Sequence, residues 1–415
     1  MNPPVHRRLL YFLALTTWLL AGLPMASARL VPPKQRILIL VSLDGFRWDY
    51  LQKFKAPNLS RLAAEGVQAE RLIPQFPSMT FPNHHTIMTG LRPAHHGIIH
   101  NNIYDPQLKA TFAFNKPEQQ GAEWWGGEPV WATAIKQGRR ANVLFWPGTG
   151  TPMAGLLPTE WKRYDGKPEP AEIVDLGLGW LGQPADQRPS LITLYFHHTD
   201  SVGHKHGPDS PEIAASVAQV DEAIGRLRAG LQRLKLEETV NLIVVSDHGM
   251  SGISTQRMVV LADCADLTGV QVDFSGALAG LRPPEGQVES LYRAFKQKEK
   301  HFRAYRRENT PEEFHFRNNP RIPPVILVAE DGWYLSNRSL QEQSSRSFNK
   351  ATHGYDPRLD SMGATFIAWG PAFKRQTKLA PVENLHLYNL FCATLGLKPA
   401  ANDGDDRLVE SVLLK

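Results

Sequence analysis

Three short apolar runs in this sequence end in acid. "RILILVSLD" leads into "SLDGFR" and puts Asp44 at its tip. "SLITLYF" is followed by "HHTDSVGHKHG", which carries Asp200 and His204. "TVNLIVVSD" leads into "SDHGM", with Asp247 and His248. A single aspartate after a strand is an ordinary turn former or helix cap. Asp200 and His204 are four apart, which suits one helical face or one tight loop around a metal, although that spacing also arises by chance. The set says more than its members, because carboxylates do not gather at one edge of a buried sheet unless positive charge holds them. Aspartate and neutral histidine without cysteine suit Zn²⁺ with an open coordination position, and Mn²⁺ or Fe²⁺ less selectively. The number of groups points to more than one ion. Two metals about 4 Å apart are a device for phosphoryl transfer. One more stretch, "PSMTFPNHHTIMTG", holds Thr80. Its hydroxyl reads either as a helix cap or as a metal-activated nucleophile. The two are compatible, since a helix N-terminus also favours a phosphate.

The surrounding pattern is strand, polar loop, helix, repeated. Runs 36–44, 141–146, 190–196, 239–247 and 364–370 are apolar on both faces. Such strands belong in a covered, largely parallel sheet. A helix starting at Ser210-Pro211 presents Ile213, Val217, Val220, Ile224, Leu227, Leu231 and Leu234 as one stripe. Segments 57–66 and 383–396 are further helices, each ending at glycine. The alternation predicts an α/β sandwich, where ligands bind outside the carboxyl ends of the strands. Those ends are where the acids fall. Segment 282–321 is dense in both charge signs. Interleaved Glu, Lys and Arg make it a solvated helix in a small insert rather than a basic nucleic-acid arm. No linker rich in Pro, Gly and Ser separates a second domain.

The chain has 415 residues. Its start has the layout of a secretory signal peptide: Arg7 and Arg8, an apolar run from Leu9 to about Leu23, then Ala26-Ser27-Ala28. The rival reading is a retained anchor, for which the run is short. Cleavage after residue 28 removes two arginines and lowers the formal net charge of +5 by two. That balance points to no nucleic-acid or membrane partner. An apolar fraction of 42% supports a sizeable core and excludes disorder. Cys264 and Cys392 pair in an exported chain or stay as buried thiols, and the sequence leaves both open. Neither sits in a Cys-x-x-Cys.

With these stretches together, the chain resembles the nucleotide pyrophosphatase/phosphodiesterase family of the alkaline phosphatase superfamily. The resemblance rests on "LVSLDGFRWDYL", "PSMTFPNHHTIMTGLRPAHHGIIHNNIYD", "FWPGT", "YFHHTDSVGHKHGPDS", "VVSDHGM" and "THGYDP", in the family's order. It implies a three-layer α/β/α sandwich with a mostly parallel central sheet and a small inserted subdomain. It implies one catalytic domain over 29–415, with the insert at about 264–340. It also implies two zinc ions. One is held by Asp200, His204 and His353; the other by Asp44, Asp247, His248 and the Thr80 oxygen. Thr80 is then the nucleophile, forming a phospho-threonine, and Asn101 donates to the transferring phosphoryl group. Phe81, Tyr195 and Tyr164 would form a slot for a nucleobase or other flat group, each with aromatic core as its plainer reading.

The leading expectation is an exported two-zinc enzyme, periplasmic or secreted, that hydrolyses nucleotide-type diesters to nucleoside monophosphates. Its partner is a small phosphodiester, with neither polymeric nucleic acid nor stable membrane insertion after signal cleavage. Diesters of choline or lipid headgroups are an alternative. His197 and His198 weaken it, because family members often carry acids there and an ammonium wants an anion or an aromatic cage. A phosphomonoesterase or phosphonate hydrolase of the same superfamily would want more positive charge than the motifs supply. A sulfatase would want Cys-x-Pro-x-Arg at the nucleophile, and neither cysteine has that context. A non-catalytic zinc-binding protein would have lost Thr80 or a ligand, and none is lost. Preferred substrate and oligomeric state are not legible.

Overall fold

The computed structural model describes residues 36–338 and 348–414. The expected signal segment lies outside them. Eight strands form the central sheet: β1 (Ile37–Leu43), β2 (Val67–Ala69), β3 (Ala141–Leu144), β4 (Glu160–Lys162), β5 (Leu191–Phe196), β6 (Val240–Val245), β7 (Phe366–Trp369) and β8 (Thr377–Leu379). Their order is β8-β2-β7-β6-β1-β5-β3-β4. The middle of the sheet is parallel: β1 pairs in parallel with β5 and with β6, and β3 with β4 and β5. Strand β7 runs antiparallel to both β6 and β2. Every residue of β1, β5 and β6 is buried, as expected of apolar strands covered on both faces.

Helices cover both faces. On one, α1 (Pro57–Glu65), α4 (Pro170–Leu181) and α5 (His198–His206) pack against the long α6 (Pro211–Arg233). On the other, α2 (Thr80–Thr89) and α3 (Val130–Lys136) pack with α8 (Leu387–Leu395), which lies over β1. The start of α6 follows from its sequence: Ser210 Oγ accepts from the Ile213 amide at 3.2 Å, and Pro211 opens the first turn. Ile213, Val217, Val220, Ile224, Leu227 and Leu231 are buried, each worth roughly 1.5–3 kcal/mol. Leu234 departs from the expected stripe. The helix stops at Arg233, and Leu234 is exposed at its end.

The charged segment 282–321 is only partly helical. After α7 (Val288–Gln297) comes a strand, Phe302–Arg306, in a four-stranded antiparallel sheet with Gln271–Phe274, Leu278–Arg282 and Val325–Ala329. Phe302 and Ala304 point inward while Arg303 faces out, a two-residue period hidden under dense charge. This sheet and α7 enclose a second, smaller core. Arg321 ties the segment leading into Val325–Ala329 to the loops around Asp105 and Trp124. Its Nε pairs with Asp105 at 2.7 Å, its Nη atoms donate to the carbonyls of Gly97, Glu123 and Trp124, and its guanidinium lies over the Trp124 ring.

Cys264 and Cys392 are both free thiols. Among the described residues, no helix is long and apolar enough to cross a membrane. Removing one partner of a mostly buried ion pair is strongly destabilising. Arg321→Ala is therefore expected to lower unfolding free energy by about 3 kcal/mol in a denaturant titration. An unchanged midpoint would show that this segment is held by other means.

Candidate active site

Three parallel strands lie side by side, so their carboxyl ends open on the same edge. Asp44 follows β1, Asp247 and His248 follow β6, and α5, which begins two residues after β5, supplies Asp200 and His204 from one face. Gly45 makes the approach possible. Its φ of +65° suits glycine, and a Cβ there would meet Asp200 Cα at 3.0 Å. His353 comes from farther along the chain. It follows the short strand Ala351–Thr352, which pairs with Ser251–Gly252 just beyond β6.

The histidine tautomers follow from their partners. A carbonyl only accepts, so each ring nitrogen facing one must carry the proton. His204 Nδ1 donates to Ala351 O at 2.9 Å, His248 Nδ1 to Gly249 O at 2.8 Å and His353 Nδ1 to Ser78 O at 2.9 Å. All three Nε2 atoms are left to face the aspartates. His248 Nε2 lies 3.0 Å from Asp247 Oδ2 and 3.5 Å from Asp44 Oδ1. Asp200 Oδ1 lies 3.3 Å from His204 Nε2 and 3.6 Å from His353 Nε2. Among the described residues, Asp44 Oδ1, Asp200 Oδ1 and Asp247 Oδ2 have no hydrogen-bond partner. Buried acceptors aimed at one another, with backbone carbonyls fixing the outer nitrogens, are what a divalent cation requires. Among the described residues, two groups could hold an ion: Asp44, Asp247 and His248; and Asp200, His248 and His353. The first matches an expected set. In the second, His248 takes the place expected of His204, which stands just outside beside Asp200.

The electrostatics ask for positive charge. Burial, then the charges of Asp247 and Asp200, push the Asp44 carboxyl well above the usual range. Burial also acts to raise Asp200 and Asp247. Histidines outweigh it, His204 and His353 for the former and His248 and His84 for the latter, and hold both below that range. Burial lowers His204, yet Asp200 carries it up to about 9. His353, buried and beside His248, falls to about 3.

Thr80 is the first residue of α2, but it does not cap it. The cap position is Met79, and no side-chain cap bond forms. The Thr80 hydroxyl instead sits 3.2 Å from His248 Nε2. A cavity of about 480 Å³ opens over Asp44, Thr80, Asp200, His204 and His353. Asn101 Oδ1 accepts from the Phe81 amide at 2.9 Å, which leaves the Asn101 NH₂ group for the cavity. Phe81, Tyr164 and Tyr195 all line it. Phe81 packs edge-on against Phe112 and Phe114, and Tyr164 meets Tyr195 edge-on at 5.8 Å and His197 at 5.6 Å.

Sequence reasoning missed several neighbours. Phe114 lines the cavity and is 48% exposed, unusual for a large apolar side chain. Nothing in "ATFAF" marks it. His84, in the motif of Thr80, donates from Nδ1 to Thr80 O at 2.9 Å, and its Nε2 accepts from Ser42 Oγ at 2.8 Å. The hydroxyl of Tyr195 donates to Asp44 Oδ2, a bond that no spacing announces.

The family model for type I phosphodiesterase/nucleotide pyrophosphatase matches residues 38–356, a span that holds every residue of this site. The chain belongs to that family. A venom phosphodiesterase of Macrovipera lebetinus is 37% identical to this chain over 408 residues, 94% of this chain and 47% of the other. Ectonucleotide pyrophosphatase/phosphodiesterase family member 1 of Homo sapiens is 36% identical over 380 residues, 88% of this chain and 40% of its own. The chain thus spans about half the length, or less, of the curated relatives it matches. The fold is similar to that of murine ectonucleotide pyrophosphatase/phosphodiesterase 5, with a TM-score of 0.87 and 31% identity over 91% of this chain and 100% of that one. That structure is described as an inactive threonine-to-alanine variant in complex with AMP.

A ligand that binds only the folded state stabilises it, by about 2.7 kcal/mol at one hundred times its dissociation constant. Dialysis against a chelator is expected to lower the melting temperature by several degrees, and added Zn²⁺ to restore it. A melting temperature indifferent to both would deny that these residues hold a cation.

Proposed function

We propose that this chain is an exported phosphodiesterase that cleaves nucleotide-type diesters and phosphoanhydrides to nucleoside monophosphates, with two Zn²⁺ ions and a phospho-threonine intermediate. One observation carries the reading: unpaired acceptors of Asp44, Asp200 and Asp247 and the hydroxyl of Thr80 meet under one aromatic-walled cavity. The donor set of aspartates and Nε2 lone pairs fits divalent zinc. Asp44, Asp247 and His248 would hold one ion with Thr80 beside it; Asp200, His353 and His204 would hold the other. Bound there, the ions supply Lewis-acid charge that favours the Thr80 alkoxide and offsets the charge on the leaving oxygen.

The chain's own groups do the rest. Thr80 Oγ attacks phosphorus, and the bond from phosphorus to the leaving oxygen breaks as the new one forms. Thr80 begins a helix, so the positive end of the helix dipole favours the phosphoryl group. Asn101 is held by the Phe81 amide and offers its NH₂ to a phosphoryl oxygen. Water then hydrolyses the phospho-threonine, returning the hydroxyl and releasing the monophosphate. Phe81, Tyr164, Tyr195 and Phe114 give the cavity flat apolar walls that suit a nucleobase. The threonine-to-alanine inactivation and bound AMP of the murine relative are in keeping with these roles.

Residues 29–415 would be one catalytic domain, with 264–340 its insert and 1–28 a cleaved signal peptide. Among the described residues, the carboxylates that line the cavity with Arg163, Tyr164 and His197 are Asp44 and Asp200, both committed to the proposed ions, which favours nucleotides over choline-type diesters.

Turnover of a panel holding a dinucleotide, a nucleoside triphosphate, glycerophosphocholine and a p-nitrophenyl monoester tests the reading. The two nucleotide substrates are expected to be fastest. Thr80→Ala should retain its metal and lose activity by on the order of 10³-fold or more. Asn101→Ala should lower kcat by about 10²–10³-fold. Full activity in the metal-loaded Thr80→Ala protein would remove the nucleophile assignment, and preference for the choline ester would overturn the substrate class.

A further inference from the structure

Tyr195 was expected only as a wall of the substrate slot. Its position in the sheet gives it a second contact. In the parallel register of β1 and β5, Tyr195 stands opposite Ser42, and Asp44 lies two residues beyond Ser42. Side chains two apart in a strand share a face, so the phenol and the carboxylate lie on the same side of the sheet. The Asp44 amide extends the ladder by donating to Phe196 O at 2.9 Å, which fixes the two backbones against each other. The Tyr195 hydroxyl donates to Asp44 Oδ2. Asp44 Oδ1 keeps no hydrogen-bond partner and stands 3.5 Å from His248 Nε2.

The two oxygens of Asp44 therefore have different surroundings. The phenol takes up one and leaves the other for whatever His248 and Asp247 also face. The ring is held in turn, edge-on against His84 at 5.2 Å and against Tyr164 at 5.8 Å. His84 also holds the carbonyl of Thr80. Tyr195 is buried, with 7% of its surface exposed, yet it still lines the cavity. One side chain thus touches both the cavity and a carboxylate of the metal group.

We propose that Tyr195 is a positioning residue that orients Asp44 for its cation, in addition to lining the substrate slot. The inference rests on the proposed metal site and adds a role for the phenolic hydroxyl alone. Outer partners that orient a metal ligand change metal affinity by about 10–100-fold when removed. Tyr195→Phe keeps the ring and removes the hydrogen bond. It separates the two contacts, because the slot keeps its wall while Asp44 loses its anchor.

The test measures Zn²⁺ affinity of the full chain by competition with a chromogenic chelator, alongside KM and kcat for a dinucleotide. Tyr195→Phe is expected to bind one Zn²⁺ about 10–100-fold less tightly, with kcat at limiting Zn²⁺ falling in step and recovering as Zn²⁺ is raised. Replacing Tyr195 with 4-aminophenylalanine restores a donor at the same place and is expected to recover most of the affinity. This second variant keeps the proposal open to disproof should Tyr195→Phe fail to fold: if it folds and still binds weakly, the donor is not what orients Asp44. Unchanged Zn²⁺ affinity in Tyr195→Phe overturns the proposal and leaves the metal site intact. Absence of Zn²⁺ binding by the parent protein instead overturns the metal site on which the proposal rests.

Discussion

Three carboxylates meet inside a protein at the end of a sheet, and that one electrostatic constraint shapes most of what surrounds them. Like charges in a poorly hydrated place repel, and burial alone penalises each of them. The chain answers with histidines whose outer nitrogens are tied to backbone carbonyls, so that their Nε2 atoms face inward. Such an arrangement is unfavourable by itself and favourable around a cation. The raised Asp44 and the raised His204 are two expressions of the same missing charge, and the depressed Asp200 and Asp247 show histidines supplying part of it.

The fold serves that constraint by economy of placement. Adjacent parallel strands β6, β1 and β5 deliver Asp247, Asp44 and Asp200 to one edge without any long excursion of the chain. Gly45 allows α5 to come close enough, since any side chain there would strike Asp200. Thr80 enters from the opposite helical layer, its helix started without using the hydroxyl. Side chains that would ordinarily satisfy local structure are thereby left free for chemistry.

Much of this was legible in the sequence because its causes are local. Continuous apolar runs announced β1, β3, β5, β6 and β7, and acids at their ends marked the edge. The antiparallel course of β7 was not legible, since a fully buried strand reads alike in either direction. Nor was the strand Phe302–Arg306, where charge masked the alternation. Of the site, Asp44, Asp200, His204, Asp247 and His248 stood out by residue type and spacing. His353 and Asn101 came only through the family resemblance, because each reaches the site from a loop with no pattern of its own. Phe114 and the hydroxyl of Tyr195 escaped notice because what singles them out is a contact between distant segments, and single-residue patterns carry no record of it.

The aromatic walls and the acidic floor are not independent. Phe81 holds Asn101 through its amide, and Tyr195 holds Asp44 through its phenol, so substrate contacts and chemical groups share the same residues. All of it depends on cations being present where the acceptors converge. Elemental analysis of the purified, active protein, made before any metal is added, tests this most directly. The expected result is close to two zinc atoms per chain, falling in step with activity when Asp44 and Asp200 are replaced by alanine. Full activity in protein that contains no stoichiometric metal would contradict it.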